Sequence, residues 1–320
     1  MLSPGNIPVR TLPIDVARQL LKDARLSPSE VEDRLRKARS RAYWLALAPD
    51  LHVEASGQGP DLHTVSAHAL EAAAQALAED GAGRVTQALA PSTLAIVNHA
   101  VDRVVAAGWP PAFVFVYDEA WWCARAPALT GLATAVLGAG AWQSPIVWIH
   151  NVAAAKGASG WAPHFDGSSR ARMNCWVALT DATVHNGCIH FLPRRCVPSD
   201  LTSRMKARTD VRMAELVQML HGAVTMPAAA GDLLAWMFDV VHWGGHVREA
   251  GLPPRRSLAV EFAAAAEPPL DMDHPVLPLT EAPPPLAVRL RGIAWGLVRY
   301  RTFEPLLTRF EGVAQGLLAS

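Results

Sequence analysis

The strongest constraint on the fold is a change of pattern at Ser144. Downstream of this residue, short apolar and alternating runs are separated by turn-forming residues, which is typical of an antiparallel β-sandwich or barrel. His185-Asn186-Gly187 predicts a tight turn between two strands, because Asn and Gly tolerate positive φ. The predicted strands cover residues 145–152, 161–166, 172–179, 188–192, 223–226, 232–238 and 257–263.

The first 140 residues instead favour helices, because their apolar residues recur at intervals of three and four. Ser27 and Glu30 have the spacing of a capping box at the start of one helix. Residues 112–117 are aromatic and β-branched and are predicted as a buried strand. The predicted helices of the whole chain cover residues 13–24, 27–47, 64–78, 91–107, 119–137, 201–220, 286–299 and 305–318.

These patterns predict an α+β protein in which helices flank a β core on both sides along the chain. We expect a mainly helical region at 1–143, a β core at 144–266, and a final region at 267–320. The final region begins with a proline-rich stretch that crosses the surface in extended form and ends in helices. All three regions are expected to form one integrated domain.

Composition excludes several classes of protein. Lys and Arg number 29 and Asp and Glu also number 29, so the chain lacks the basic excess of a nucleic-acid binder. With 51% hydrophobic residues, the chain can bury a large core. Four cysteines without a CxxC pair favour a reducing compartment. The sequence shows neither a signal-peptide pattern nor an apolar run long enough to cross a membrane, so we expect a cytoplasmic protein without membrane contact.

The chemistry-bearing residues fall within the predicted β core. In His164-Phe165-Asp166, alternation along a strand would place the imidazole and the carboxylate on one side. His242 follows Asp232 by ten residues and is the candidate third ligand, with His246 as its rival. Two His and one carboxylate on one face of a ferrous iron leave three positions open for a chelating cosubstrate and dioxygen. The residues therefore favour a facial-triad iron site.

A candidate anion site follows thirteen residues after His242. Arg255 and Ser257 share one side of the last predicted strand, while Arg256 points away. A guanidinium can hold a carboxylate through two parallel hydrogen bonds, and the Ser257 hydroxyl can add a third. On another predicted strand, Asn174 and Trp176 share a face. A buried Asn174 amide would need a partner, and a carboxylate of the chelating cosubstrate is one candidate.

In this region the sequence resembles the phytanoyl-CoA dioxygenase family of Fe(II)- and 2-oxoglutarate-dependent oxygenases. The residues that carry the resemblance lie between about Trp161 and Phe262: the His164–Asp166 pair, the strand from Cys175 to Ala182, Asn186-Gly187-Cys188, Pro193, Gly231-Asp232, His242 with Gly244, and Arg255. The resemblance implies a double-stranded β-helix, a jelly-roll or cupin-like core, with N-terminal and C-terminal helices packed outside. It also implies oxidation of a small molecule by O2, with release of succinate and CO2.

Carried over by position, the resemblance implies that His164, Asp166 and His242 bind iron. It also implies that Arg255 anchors 2-oxoglutarate and that Trp176 lines the cosubstrate pocket. Asp166 favours hydroxylation, desaturation or ring closure over halogenation, because chloride would have to occupy the position of the carboxylate. Two other interpretations stay open: a non-catalytic binding protein on the same scaffold, and a different metal-dependent enzyme on a cupin-like barrel.

One segment departs from the wording usual in the family. After the Asn-Gly turn the chain has Pro193-Arg194-Arg195-Cys196, and the segment to Leu220 carries four more basic residues: Arg204, Lys206, Arg208 and Arg212. If this segment overhangs the iron, its cations would recognise an anionic group on the substrate. A solvated surface insertion is the alternative.

Overall fold

The computed structural model describes residues 25–55, 63–198, 200, 213–249, 251–280 and 282–319. Two antiparallel sheets form its β core. The strands are β1 (Ala82–Val85), β2 (Trp142–Val152), β3 (Arg172–Ala178), β4 (Ile189–Leu192), β5 (Val224–Met226), β6 (Leu233–Met237), β7 (Val241–Gly244), β8 (Arg255–Ala263) and β9 (Leu277–Pro278). The larger sheet has the order β1-β6-β3-β8-β2-β9, and the smaller has the order β5-β4-β7.

Helices surround these sheets. They are α1 (Pro28–Ala38), α2 (Arg41–Leu47), α3 (Ala67–Glu79), α4 (Pro91–Ala106), α5 (Asp118–Ala124), α6 (Pro127–Leu137), α7 (Met213–Gly222), α8 (Leu286–Tyr300) and α9 (Glu311–Leu318). Short 3-10 helices cover Pro111–Val116, Arg194–Cys196 and Pro305–Phe310. One hydrophobic cluster includes residues of the N-terminal helices, both sheets and the C-terminal helices. The predicted α+β fold, a jelly-roll core with helices outside, is confirmed.

The central strands of the large sheet are buried on both faces, and one face carries polar residues of the candidate site. All seven residues of β3 and all five of β6 are buried, as expected for strands covered on both sides. Helix α6 packs against β3 and β8, while α8 packs against β2. Residues two apart share a face. The polar side chains on β3 and β8 therefore point together, with Asn174 opposite Glu261 and Ala178 opposite Ser257.

The capping box is confirmed, since the Ser27 hydroxyl accepts the N–H of Glu30 and the Glu30 carboxylate accepts the N–H of Ser27. The predicted helix at 27–47 is two helices, because Ser40 caps the start of α2. Pro127 likewise begins α6 and divides the predicted helix at 119–137. The predicted helix at 13–24 and residues 201–212 of another lie outside the described residues.

Two strand predictions are wrong. Residues 112–117 lie in and beside the buried 3-10 helix Pro111–Val116, because an apolar run that is buried on every side carries no period to tell strand from helix. Residues 161–166 are irregular and contact β7 through an isolated bridge between His164 and His242 and one hydrogen bond from Gly244 N–H to the Trp161 carbonyl. Pro163 lies within this segment and lacks the N–H that a ladder needs.

Three strands were not predicted: β1, β7 and β9. Each is four residues or fewer, and each became a strand through its pairing with a neighbour elsewhere in the chain. Within the described residues, no helix has the length and hydropathy needed to cross a membrane.

Candidate metal and cosubstrate site

The three predicted iron ligands meet at one point. Ligand atoms of His164, Asp166 and His242 all lie within 4.8 Å of one another. The Nε2 atoms of His164 and His242 each lie 3.8 Å from a different oxygen of Asp166. The backbone of His164 exchanges two hydrogen bonds with that of His242, at 3.1 and 2.9 Å. This bridge holds the two imidazoles together although 78 residues separate them in sequence (242 − 164).

Hydrogen bonds orient each of the three side chains. The Nδ1 atoms of His164 and His242 lie 2.8 and 3.1 Å from the carbonyl oxygens of Ala162 and Val240. A proton on Nδ1 leaves the Nε2 lone pair free for a metal. The Asp166 Oδ2 accepts from Asn174 Nδ2 at 3.0 Å and from Trp236 Nε1 at 2.9 Å.

Burial and the contacts within the cluster together set the charge states of Asp166 and His242. It lowers the pKa of His242 to about 4, in spite of the nearby Asp166 carboxylate. Burial would raise the pKa of Asp166, but the two imidazoles and the two hydrogen bonds outweigh it and hold that pKa below its usual value. Asp166 is therefore an anion and His242 neutral at neutral pH. These are the protonation states that metal ligands need.

Arg255 and Ser257 lie on the same face of β8 as predicted. They are 2% and 0% exposed. The Arg255 guanidinium lies above the Trp176 ring, with its carbon 5.9 Å from the ring centroid. Burial lowers the pKa of Arg255 to about 10, so the guanidinium stays charged at neutral pH. Arg256 points away, as predicted, and pairs with Asp102 and Asn151.

The site passes a test of fit for iron and 2-oxoglutarate. Buried polar atoms are normally hydrogen-bonded. Among the described residues, however, several buried polar atoms at this site have no protein partner: His164 Nε2, Asn174 Oδ1, Arg255 Nε and Ser257 Oγ. His164 Nε2 points to the other two metal-binding candidates, and the last two atoms are donors that match a carboxylate. The donor set therefore suits both groups.

Asn174 also contacts this cluster, but through Asp166. Its amide N–H donates to the carboxylate, and its Oδ1 lacks a protein partner. The structure thus gives Asn174 a role in orienting Asp166, while its predicted contact with the cosubstrate stays a prediction.

Sequence reasoning missed several residues that line the cavity at the triad, which has a volume of about 30 Å³: His150, Trp161, Trp236 and Tyr300. His150 lies on β2 opposite Ser257. Burial, followed by the charge of Arg255, lowers the pKa of His150 to about 3. The sequence signal that could have found His150 is a histidine within the otherwise apolar run of a predicted strand, residues 145–152.

Two glycines allow the backbone to approach Arg255 closely. A Cβ atom on Gly160 would lie 2.6 Å from the Arg255 Nη2, and one on Gly244 would lie 2.9 Å from the same atom. A side chain at either position would therefore displace the guanidinium. Gly160 and Gly244 also border a second cavity, of about 460 Å³, on whose wall the exposed His246 lies. His246 is not part of the His164–Asp166–His242 cluster.

The fold and the cluster define an oxygenase class that uses non-haem iron and 2-oxoglutarate. The family model for phytanoyl-CoA dioxygenase (PhyH) matches residues 64–257, and the chain belongs to that family. It is an Fe(II)- and 2-oxoglutarate-dependent oxygenase. No curated protein sequence matches the chain.

Two solved structures show the same fold. The epimerase SnoN, in complex with Fe3+, alpha ketoglutarate and nogalamycin RO, is 21% identical over 68% of this chain and 89% of its own, with a TM-score of 0.51. The non-heme monooxygenase ThoJ, as its Ni complex, is 17% identical over 73% of this chain and 99% of its own, with a TM-score of 0.50.

Proposed function

We propose that this protein binds ferrous iron through His164, Asp166 and His242 and hydroxylates a small molecule. The observation that carries the proposal is the convergence of three oriented ligand atoms within 4.8 Å. Arg255 and Ser257 would hold the distal carboxylate of 2-oxoglutarate, against the wall formed by Trp176. With dioxygen, the bound iron and 2-oxoglutarate supply the oxidising power for the C–H bond.

The protein's own contribution is positioning and charge. Backbone carbonyls fix the tautomer of each imidazole, and Asn174 with Trp236 holds one oxygen of Asp166, leaving the other free. The buried guanidinium neutralises a carboxylate where water is scarce. Hydroxylation is supported by the presence of Asp166. The fold alone does not decide the outcome, since it occurs both in an enzyme named an epimerase and in one named a monooxygenase.

Metal titration tests the assignment. His164→Ala, Asp166→Ala and His242→Ala should each abolish stoichiometric iron binding under anaerobic calorimetry, and with it succinate formation. His246→Ala is the matched control, because this imidazole lies outside the cluster. Loss of iron in His246→Ala with retention in His242→Ala would overturn the ligand set. Tight iron binding without succinate from any substrate panel would favour a binding protein instead.

An anionic group on the substrate is a further proposal, supported by the basic composition of residues 193–220. Within the described part of this segment, Arg194 pairs with Asp239 and Arg195 pairs with Asp80. The test is reversal of both arginines to Glu once a substrate is known. A raised KM with unchanged iron and 2-oxoglutarate affinities would support the proposal, and an unchanged KM would contradict it.

We also propose a cytoplasmic location. Its support is that all four cysteines are free, three of them buried. Reducing conditions keep thiols in this state.

A further inference from the structure

The C-terminal turn at residues 300–304 lies against the iron-ligand cluster, although the family match ends at residue 257. Phe303 stacks on Trp161, with ring centroids 4.5 Å apart and planes 16° apart. The same Phe303 ring lies 4.9 Å from the imidazole of His164. Tyr300, at the end of α8, lines the cavity and lies 4.8 Å from both Trp161 and Trp148.

Two carboxylates hold this turn in place, the half-buried Glu304 and the buried Glu261. Glu304 Oε1 accepts the indole N–H of Trp161 at 3.1 Å and that of Trp148 at 3.3 Å. The Tyr300 hydroxyl donates to Glu261 at 3.3 Å, and Arg299 forms a 2.8 Å ion pair with the same carboxylate. The rings of the turn are therefore fixed by specific polar contacts and not by packing alone.

The turn and the cosubstrate site occupy different parts of the cavity. Arg255 lies beside Gly160, Gly244 and Trp176. The turn instead packs against His164 and Trp161, which line another side of the cavity. The cavity has a volume of about 30 Å³, roughly that of one or two water molecules, so the side chains that line it decide what fits there. Strand residues around the cavity are held in place by the hydrogen bonds between strands. Phe303 instead lies in a turn and is only partly buried, so it is less constrained.

We propose that Phe303 and Tyr300 are specificity-determining residues that form the substrate-facing wall of this site. We assign Glu304 as a positioning residue that holds Trp161 against that wall. This inference rests on the proposed function, because it takes the metal to lie at His164. Besides the Trp176 ring beside Arg255, three large aromatic side chains line the cavity around the triad: Trp161, Trp236 and Tyr300. Rings of this kind pack best on flat or ring-shaped apolar groups, so we assign a substrate with a ring-shaped apolar body.

The first test measures how well the turn covers His164 in the metal-free protein. Carbethoxylation by diethyl pyrocarbonate, mapped by mass spectrometry, reports the access of reagent to the imidazole, whose side chain is 13% exposed. Phe303→Ala should raise the labelling rate of His164 by about twofold or more, because the covering ring is gone. Thr302→Ala is the matched control, since Thr302 is exposed in the same turn. Equal rates in Phe303→Ala and the parent would overturn the wall.

The role of Glu304 is tested by a conservative replacement. Glu304→Gln keeps an oxygen that accepts from both indoles, and should label like the parent. Glu304→Ala releases Trp161 and should label faster, about as fast as Phe303→Ala. Faster labelling in Glu304→Gln, equal to that of Glu304→Ala, would show that the carboxylate acts only through its charge and would overturn the positioning role.

The second test measures ring recognition directly. Calorimetry on the Ni(II)- and 2-oxoglutarate-loaded protein compares a hydroxylated tricyclic aromatic probe with a linear fatty acid of equal carbon number. The parent should bind the tricyclic probe more tightly, and Phe303→Ala should lose about two- to tenfold in that affinity while Thr302→Ala keeps it. Equal binding of the two probes by the parent would overturn the substrate class. Failure of the parent to bind metal would instead overturn the proposed function, and the metal-free labelling would still test the wall.

Discussion

Replacing Arg255 by lysine is the sharpest test of the cosubstrate site. The substitution keeps a positive charge but removes the planar group that offers two parallel N–H donors to a carboxylate. The side chain is 2% exposed, so water cannot replace the lost contact. A hydrogen bond to a charged group contributes about 1.5 to 3 kcal/mol, which corresponds to roughly a ten- to hundredfold loss in 2-oxoglutarate affinity.

The assay is an anaerobic titration of 2-oxoglutarate into the metal-loaded protein, with metal affinity measured separately. Metal affinity should stay within about twofold, because Arg255 lies outside the ligand cluster. Arg256→Lys is the matched control, since the neighbouring guanidinium pairs with Asp102 and Asn151 and not with the cavity. An unchanged dissociation constant in Arg255→Lys, with a large loss in Arg256→Lys, would refute the assignment.

Three further predictions concern one residue of the same site and two buried groups elsewhere in the fold. Ser257→Ala should weaken 2-oxoglutarate binding by about three- to tenfold in the same titration, because a buried hydroxyl donor is lost. Arg289→Met should lower the free energy of unfolding by about 3 to 5 kcal/mol, since it leaves Asp118 buried without its ion-pair partner. The measurement is urea denaturation, and the double mutant Arg289→Met/Asp118→Asn should regain part of the lost free energy of unfolding. The parent should show one transition if the N-terminal and C-terminal regions form one domain, and two transitions if they do not. Burial lowers the pKa of His274 below 6.5, so the folded state binds fewer protons than the unfolded state and stability is lost as pH falls through that value. His274→Phe should therefore show a smaller fall in Tm than the parent between about pH 7 and pH 5. Equal falls in the variant and the parent would contradict this reasoning.

Two pairs of candidate site residues could be predicted because their members are close in sequence: His164 with Asp166, and Arg255 with Ser257. His242 was predicted from its spacing of ten residues from Asp232. Arg255 and Ser257 point the same way on any strand, since side chains alternate. The pairing of His164 with Asp166 was predicted from a strand that does not exist. It still holds, because a single bridge to His242 orients the segment in place of a ladder.

The secondary structure was predictable where periodicity or capping is local. Ser27 and Glu30 form their capping box through contacts only three residues apart. The strand prediction for residues 112–117 was wrong because their conformation depends on the packing around them. They lie among α4, α5, α8 and β2, and such a fully buried run is apolar in either conformation.

The sequence by itself determined the family, and it predicted the candidate metal ligands and the candidate cosubstrate anchor from residue type and from spacing within ordered motifs. Only the tertiary structure decided what surrounds them. Tyr300 and Phe303 lie more than 130 residues after His164 in the chain (300 − 164 = 136) but pack beside the candidate ligands, and Trp236 on β6 donates to Asp166 in an irregular segment. No local pattern encodes such contacts, since they arise from the way helices and sheets pack into one core.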